Sequence, residues 1–154
     1  MKKILSIFLA TLILCTMFAI SANAEGLENV TIEYLDNGDY IITYFDDENI
    51  YPDDGSKSTI TKTKTSKYKN SAGETMWYIK VQGTFSYNGI TCTCTKAAHQ
   101  AAAPGSTWSI ISASHSKIEN RATANATARH QLNPGYSDYT RSVTLKCSYN
   151  GVIT

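Results

Sequence analysis

Carboxylates nearly vanish from the last hundred residues of this 154-residue sequence. Between Gly55 and Thr154 stand twelve Lys and Arg but only Glu74, Glu119 and Asp138. A glycosidase pair of acids would have to be recruited from the N-terminal part of the chain. Metal signatures are missing as well. His99, His115 and His130 do not form H-E-x-x-H. No D-x-[DN]-x-[DN]-G loop with a distal Glu accompanies the acids near Asp46 and Asp53, so these read as a solvated linker. There is no G-x-S-x-G elbow. A Cys/His nucleophile would have to use Cys92, which belongs to an apolar face where a thiol is inert. The chain is therefore read as a non-enzyme with no catalytic residue, cofactor or metal site. Helix-length apolar periodicity is scarce, and no repeat of 20–50 residues is visible, which sets helical bundles and solenoids aside.

What is present begins with an export signal. Met1-Lys2-Lys3 precedes an uncharged apolar run over residues 4–20, and Ala22-Asn23-Ala24 offers small residues to a signal peptidase. Residues 1–24 are expected to be removed, leaving 130 residues (154 − 24) for a single domain. Leu14 before Cys15 is too bulky for a lipoprotein site. No hydrophobic tail follows Cys147, so release is expected and a stable membrane anchor is not. Charge is divided sharply. Residues 25–54 carry ten acids and no Lys or Arg, whereas residues 55–154 carry a net charge of +9 (12 − 3). The acidic segment is read either as solvated or as docked on the basic part, masking it until removed.

The remaining pattern is that of strands. Trp77 to Tyr87 alternates apolar and polar residues up to Asn88-Gly89, a type I′ hairpin signal. Counting outward from a two-residue turn sets Tyr87 opposite Ile90, Phe85 opposite Cys92 and Gly83 opposite Cys94. One face then carries Trp77, Ile79, Val81, Phe85, Tyr87 and both cysteines. The other carries Tyr78, Lys80, Gln82, Thr84 and Ser86, a strip suited to a glycan or protein partner. A second hairpin around Asp36-Asn37-Gly38-Asp39 is apolar on both faces, so it should pack against something. Residues 46–55 are a turn-rich linker, and residues 25–55 together form an acidic hairpin segment ahead of a domain over 56–154. The Thr/Lys alternation from Ser58 to Lys69 suits an exposed edge strand whose lysines discourage edge pairing. Asn70 to Gly73 is a turn. Ala97 to Ala103 fits a short helix, a loop or an irregular strand. Asn120 to His130 sets Ala122, Ala124, Ala126 and Ala128 on one face of a strand. Tyr139 to Tyr149 closes the chain with Val143, Leu145, Cys147 and Tyr149 sharing a face.

With Cys15 lost, three cysteines meet an oxidising compartment, so one disulfide is expected. Cys92 and Cys94 lie roughly 6.6 Å apart along a strand, too far to pair with each other. Cys94 is favoured as the partner of Cys147, because Gly83 opposite it leaves room. Cys92 is then a small buried apolar residue or a site of intermolecular pairing. The order Cys94, Trp108, Cys147 resembles that of immunoglobulin domains, where a buried Trp packs on an inter-sheet disulfide. Leu145 stands where those domains have a tyrosine, so the likeness is one of architecture. The fold expected is all-β, an immunoglobulin-like antiparallel sandwich preceded by the acidic hairpin.

Across nearly its whole length the pattern also resembles a family of small secreted β-rich proteins of Gram-positive, clostridial-type bacteria to which no activity is assigned. The matching features are the signal segment, the acidic tyrosine-rich hairpin and the Thr/Lys strand. To these are added Trp77-Tyr78-Ile79-Lys80-Val81-Gln82-Gly83-Thr84-Phe85-Ser86-Tyr87-Asn88-Gly89 and Val143-Thr144-Leu145-Lys146-Cys147-Ser148. The resemblance implies export and a β fold and adds no chemistry. Ten tyrosines and two tryptophans in a small secreted domain supply amphipathic surface for binding. The function expected is non-catalytic binding of an extracellular ligand, a cell-wall polymer or glycan and not nucleic acid. The alternatives are a diffusible effector (toxin, antimicrobial or inhibitor) and, further off, a hydrolase.

Overall fold

The structure, a computed structural model, describes residues 30–46 and 58–154. The signal segment and the linker over 47–57 lie outside the described residues. Eight strands follow one another: β1 (Thr31–Tyr34), β2 (Tyr40–Phe45), β3 (Ser58–Lys69), β4 (Thr75–Tyr87), β5 (Cys92–Ala102), β6 (Trp108–Ile118), β7 (Arg121–Gln131) and β8 (Tyr136–Lys146). They form two antiparallel sheets, β1-β2-β3-β4-β5 and β6-β7-β8, packed face to face. The sandwich expected from the alternation is therefore present. Each strand pairs with its chain neighbours, and the chain changes sheet once, between β5 and β6. The likeness to immunoglobulin domains stops at two disulfide-linked sheets, because a Greek-key crossover is not used.

The core follows from the period of two. Strand β4 buries Trp77, Ile79, Val81 and Phe85, and β7 meets them with Ala122, Ala124, Ala126 and Ala128. Bulky side chains on one sheet face small ones on the other, which lets the layers close to interior density. Each large side chain so buried contributes roughly 1.5–3 kcal/mol. Val143 and Leu145 of β8 complete the layer as expected, but Tyr149 lies past the strand end and is exposed. The segment from Ala97 to Ala102 is strand and not helix.

Three sequence expectations need correction. First, the turn after Tyr87 has four residues, not two. The Asn88 side chain accepts hydrogen bonds from the backbone N–H groups of Ile90 (3.0 Å) and Thr91 (2.8 Å), and only Gly89 has positive φ. Asn88 thus closes the loop as an acceptor and does not adopt the left-handed conformation that a type I′ turn demands. Tyr87 consequently pairs with Cys92 and Phe85 with Cys94, and an irregularity near Thr84 then sets Ala97 opposite Gly83. Ile90 is left exposed.

Second, the disulfide joins Cys92, not Cys94, to Cys147, with Cα atoms 6.2 Å apart. The two-residue slip carries Cys92 to the open end of β5, while Cys94 sits buried opposite Phe85. Trp108 lies at the far end of β6 from this bridge. It packs instead against Tyr68, Tyr139 and His130, the last stacked at 4.4 Å.

Third, among the described residues β3 is an edge strand over only its first half, since residues 64–69 pair with β2. The acidic hairpin is thus not a separate unit. It adds two strands to the sheet through a ladder running from Tyr40↔Lys69 to Phe45↔Lys64. In the unpaired half of β3, Lys62 points inward and is buried. An inward lysine is one of the devices that blunt a sheet edge.

Candidate binding surface

The outer face of the five-stranded sheet collects the side chains best suited to a ligand. Register sets Ile32, Ile42, Lys67, Tyr78 and Ala102 in one row across the sheet, and Tyr44, Thr65, Lys80 and Gln100 in the next. Tyr34 and Tyr40 form a third row, their rings 5.9 Å apart. Tyr34 (77 % exposed) and Ile32 (47 %) stand open at the margin. Both faces of the hairpin are apolar in sequence, and the structure gives each a use. Ile41 and Phe45 pack inward on the core, while Tyr34, Tyr40, Ile42 and Tyr44 are left outside.

Polar groups fix this surface. Asp46 folds over it, accepting from Thr65 Oγ1 at 2.5 Å and from Lys80 Nζ at 2.8 Å. That ion pair and hydrogen bond push the Lys80 ammonium pKa up from its ordinary value. Gln100 donates to the Tyr78 hydroxyl at 3.1 Å, and the Lys67 ammonium lies 5.2 Å above the Tyr44 ring. Such a patch offers aromatic faces for stacking, with amide, hydroxyl and ammonium donors around them.

The strip Tyr78, Lys80, Gln82, Thr84 and Ser86 is on this face, but the structure divides it. Tyr78 and Lys80 belong to the aromatic half. Gln82 and Thr84 join Thr63 and Thr61 in a hydroxyl half, with Thr61 and Thr84 hydroxyls 2.9 Å apart and Gln82 reaching Thr63 at 3.4 Å. The contribution of β1 and β2 was missed in the sequence because a hairpin that packs somewhere does not announce which sheet it extends.

The cysteines and acids considered for catalysis do not converge on one another. Cys92 is bonded to Cys147. Cys94 is buried, and desolvation raises its thiol pKa against the opposing pull of the Lys117 charge and a backbone hydrogen bond with Lys96. Glu74 is occupied by Asn70, and Asp138 by the fork of Arg129 at 2.8 and 2.9 Å. Glu119 occupies the β6–β7 turn with φ of 51°. Its carbonyl accepts from the Cys94 N–H, while the Asn120 carbonyl accepts from that of Cys147, so this turn is pinned to both sheets. Among the described residues no three His, Cys, Asp or Glu side chains gather as a metal cage. Comparison with family models, curated proteins and solved structures gives no match.

Proposed function

We propose that the protein is exported and acts outside the cell as a non-catalytic binding module for a cell-wall polymer or glycan. The observation that carries this reading is the shared outer face of Tyr34, Tyr40, Tyr44 and Tyr78, bordered by Lys67 and Lys69. Aromatic planes take the apolar faces of sugar rings, and the ammonium groups favour polymers that also carry anions. An inter-sheet disulfide accords with an oxidising compartment. The Thr65 hydroxyl that donates to Asp46 on this face is fully buried, and that carboxylate is also paired with Lys80, so binding is favoured over hydrolysis.

The test is co-sedimentation of purified protein with Gram-positive cell walls at low and high salt, for wild type and for Tyr34→Ala/Tyr44→Ala. The expected result is binding that survives salt and falls about tenfold in the variant, near 1.4 kcal/mol. Binding abolished by salt and indifferent to the tyrosines would reduce the interaction to charge. No binding at either salt would sink the wall-binding reading in favour of a diffusible effector.

A further inference from the structure

We propose that His99 and His115 form a site for a late first-row transition-metal dication, nickel or copper, on the seam between the two sheets. The seam runs where β5 and β6, edge strands of different sheets, lie side by side without a ladder. Three cross-contacts close it. The Cys94 N–H donates to the Glu119 carbonyl at 2.7 Å, and Lys117 Nζ donates to the Thr95 carbonyl at 2.5 Å. Between these and the Trp108 end, the two imidazoles meet with their Nδ1 atoms 2.7 Å apart.

That distance requires one Nδ1 to carry a proton and the other to offer its lone pair. With their ring centroids 4.9 Å apart the two imidazoles face each other nearly head-on, so a turn of these solvent-accessible rings is needed to bring both Nδ1 lone pairs onto one ion. With metal–nitrogen bonds of about 2.0–2.1 Å, two donors lie about 2.9 Å apart at a right angle and about 3.4 Å apart at the tetrahedral angle. Opening the pair from 2.7 Å thus takes about 0.2 Å for square or octahedral coordination and about 0.7 Å for tetrahedral. Imidazole suits nickel and copper, whose preferred geometries are the right-angled ones. Zinc is disfavoured on the same ground.

The site is accessible. His115 is exposed and borders a groove of about 460 Å³ lined also by Thr95, Lys96, Ala97, Ser116 and Lys117. No third protein ligand converges among the described residues, so water completes the coordination sphere and binding is exchangeable. The ammonium groups of Lys96 and Lys117 weaken the attraction for a bare dication further. The proton count closes simply. In the neutral pair, the ring that carried Nδ1–H passes to its Nε2–H tautomer through solvent, both Nδ1 lone pairs bind the ion, and no net proton is released. The bound ion would clamp β5 to β6, a second inter-sheet link beside the Cys92–Cys147 bond.

The test is calorimetric titration of the untagged protein with Ni²⁺ and with Zn²⁺. One equivalent of Ni²⁺ is expected to bind, more tightly than Zn²⁺. His99→Gln or His115→Gln should weaken Ni²⁺ at least tenfold, and His130→Gln should leave it unchanged. Amide resonances of the wild-type protein supply a readout that does not depend on folding of the variants. Their perturbation by substoichiometric Ni²⁺ should centre on residues 97–101 and 113–117. Absence of binding, equal binding by the variants, or perturbation centred on His130 would each overturn the proposal.

Discussion

Alanine at Cys92 and alanine at Cys94 should have very different costs, although the two residues differ by two positions on one strand face. The Cys92–Cys147 bond closes a loop with a sequence separation of 55. In the chain-entropy treatment such a loop removes roughly 14 cal/mol/K from the unfolded ensemble, about 4 kcal/mol at 25 °C. Domains of this size are stable by only about 5–15 kcal/mol, so Cys92→Ala should bring the protein near the limit of folding. Cys94 is 5 % exposed and makes one weak bond, Sγ to the Lys96 carbonyl at 3.2 Å. Its replacement by alanine loses only a small buried group, about 1 kcal/mol. Urea denaturation of the wild type and both variants measures the difference directly. Alkylation before and after unfolding adds the covalent assignment, since of Cys92, Cys94 and Cys147 only Cys94 should be protected by burial and then labelled. The reverse order of costs, or labelling of Cys92, would refute both the pairing and the four-residue turn that produces it.

Two further perturbations probe the interior. The Tyr68 hydroxyl donates to Asp39 at 2.7 Å, and desolvation together with that carboxylate pushes its pKa from 10.0 to about 12. The raised folded pKa means that stability is fully present below pH 10 and is lost between about pH 10 and 12, by roughly 2–3 kcal/mol. Tyr68→Phe should flatten this alkaline loss in urea titrations at pH 8 and 11, and an unchanged slope would rule out the contact. At Gly83 an added Cβ would lie 2.6 and 2.7 Å from the Phe85 ring and 3.0 Å from the Ala122 Cβ, and Phe85 is fully buried. Gly83→Ala should therefore cost about 1–3 kcal/mol by overpacking. Phe85→Leu added to it should cost less than the sum of the two changes, as read from the denaturation midpoints.

The sheet faces were legible wherever alternation was strict. Ala122 to Ala128 and Trp77 to Tyr87 point as their period requires, because a face is a matter of parity. Turn length is not. Asn88-Gly89 reads as a two-residue turn, yet the Asn88 side chain can serve either as a left-handed residue or as a hydrogen-bond acceptor. The structure uses the second form. A slip of two residues keeps every parity, so the core prediction survived while the cysteine pairing built on it failed. The position of β3 was misjudged for a different reason. Lysine alternation marks an edge locally, but whether an edge stays bare depends on a hairpin some twenty residues earlier in the chain. The tyrosine face had no signature of its own, because its rows come from β1, β2 and β4 and meet only through pairing. The His99–His115 contact was equally hidden, since it joins edge strands of different sheets.

The division of charge along the chain takes a specific form once the hairpin is placed. Glu33 pairs with Arg141 at 2.9 Å, and Asp46 with Lys80 at 2.8 Å, so the acidic strands do meet basic ones. These pairs are partly exposed and each contributes no more than about 1 kcal/mol. Attachment therefore rests chiefly on the β2–β3 ladder and on Ile41 and Phe45 packed inward, and salt alone should not release the hairpin. The same argument decides between masking and building. Among the described residues the large apolar and aromatic side chains on the outer face are Ile32, Tyr34, Tyr40, Ile42 and Tyr44 of β1 and β2 with Tyr78 of β4, while β5 adds only the small Ala98 and Ala102. Removing the acidic segment would not uncover that surface. It would remove most of it and expose the edge of β3. The acidic hairpin thus supplies most of the proposed binding face, and its carboxylates Glu33 and Asp46 pair with Arg141 and Lys80 of the basic strands.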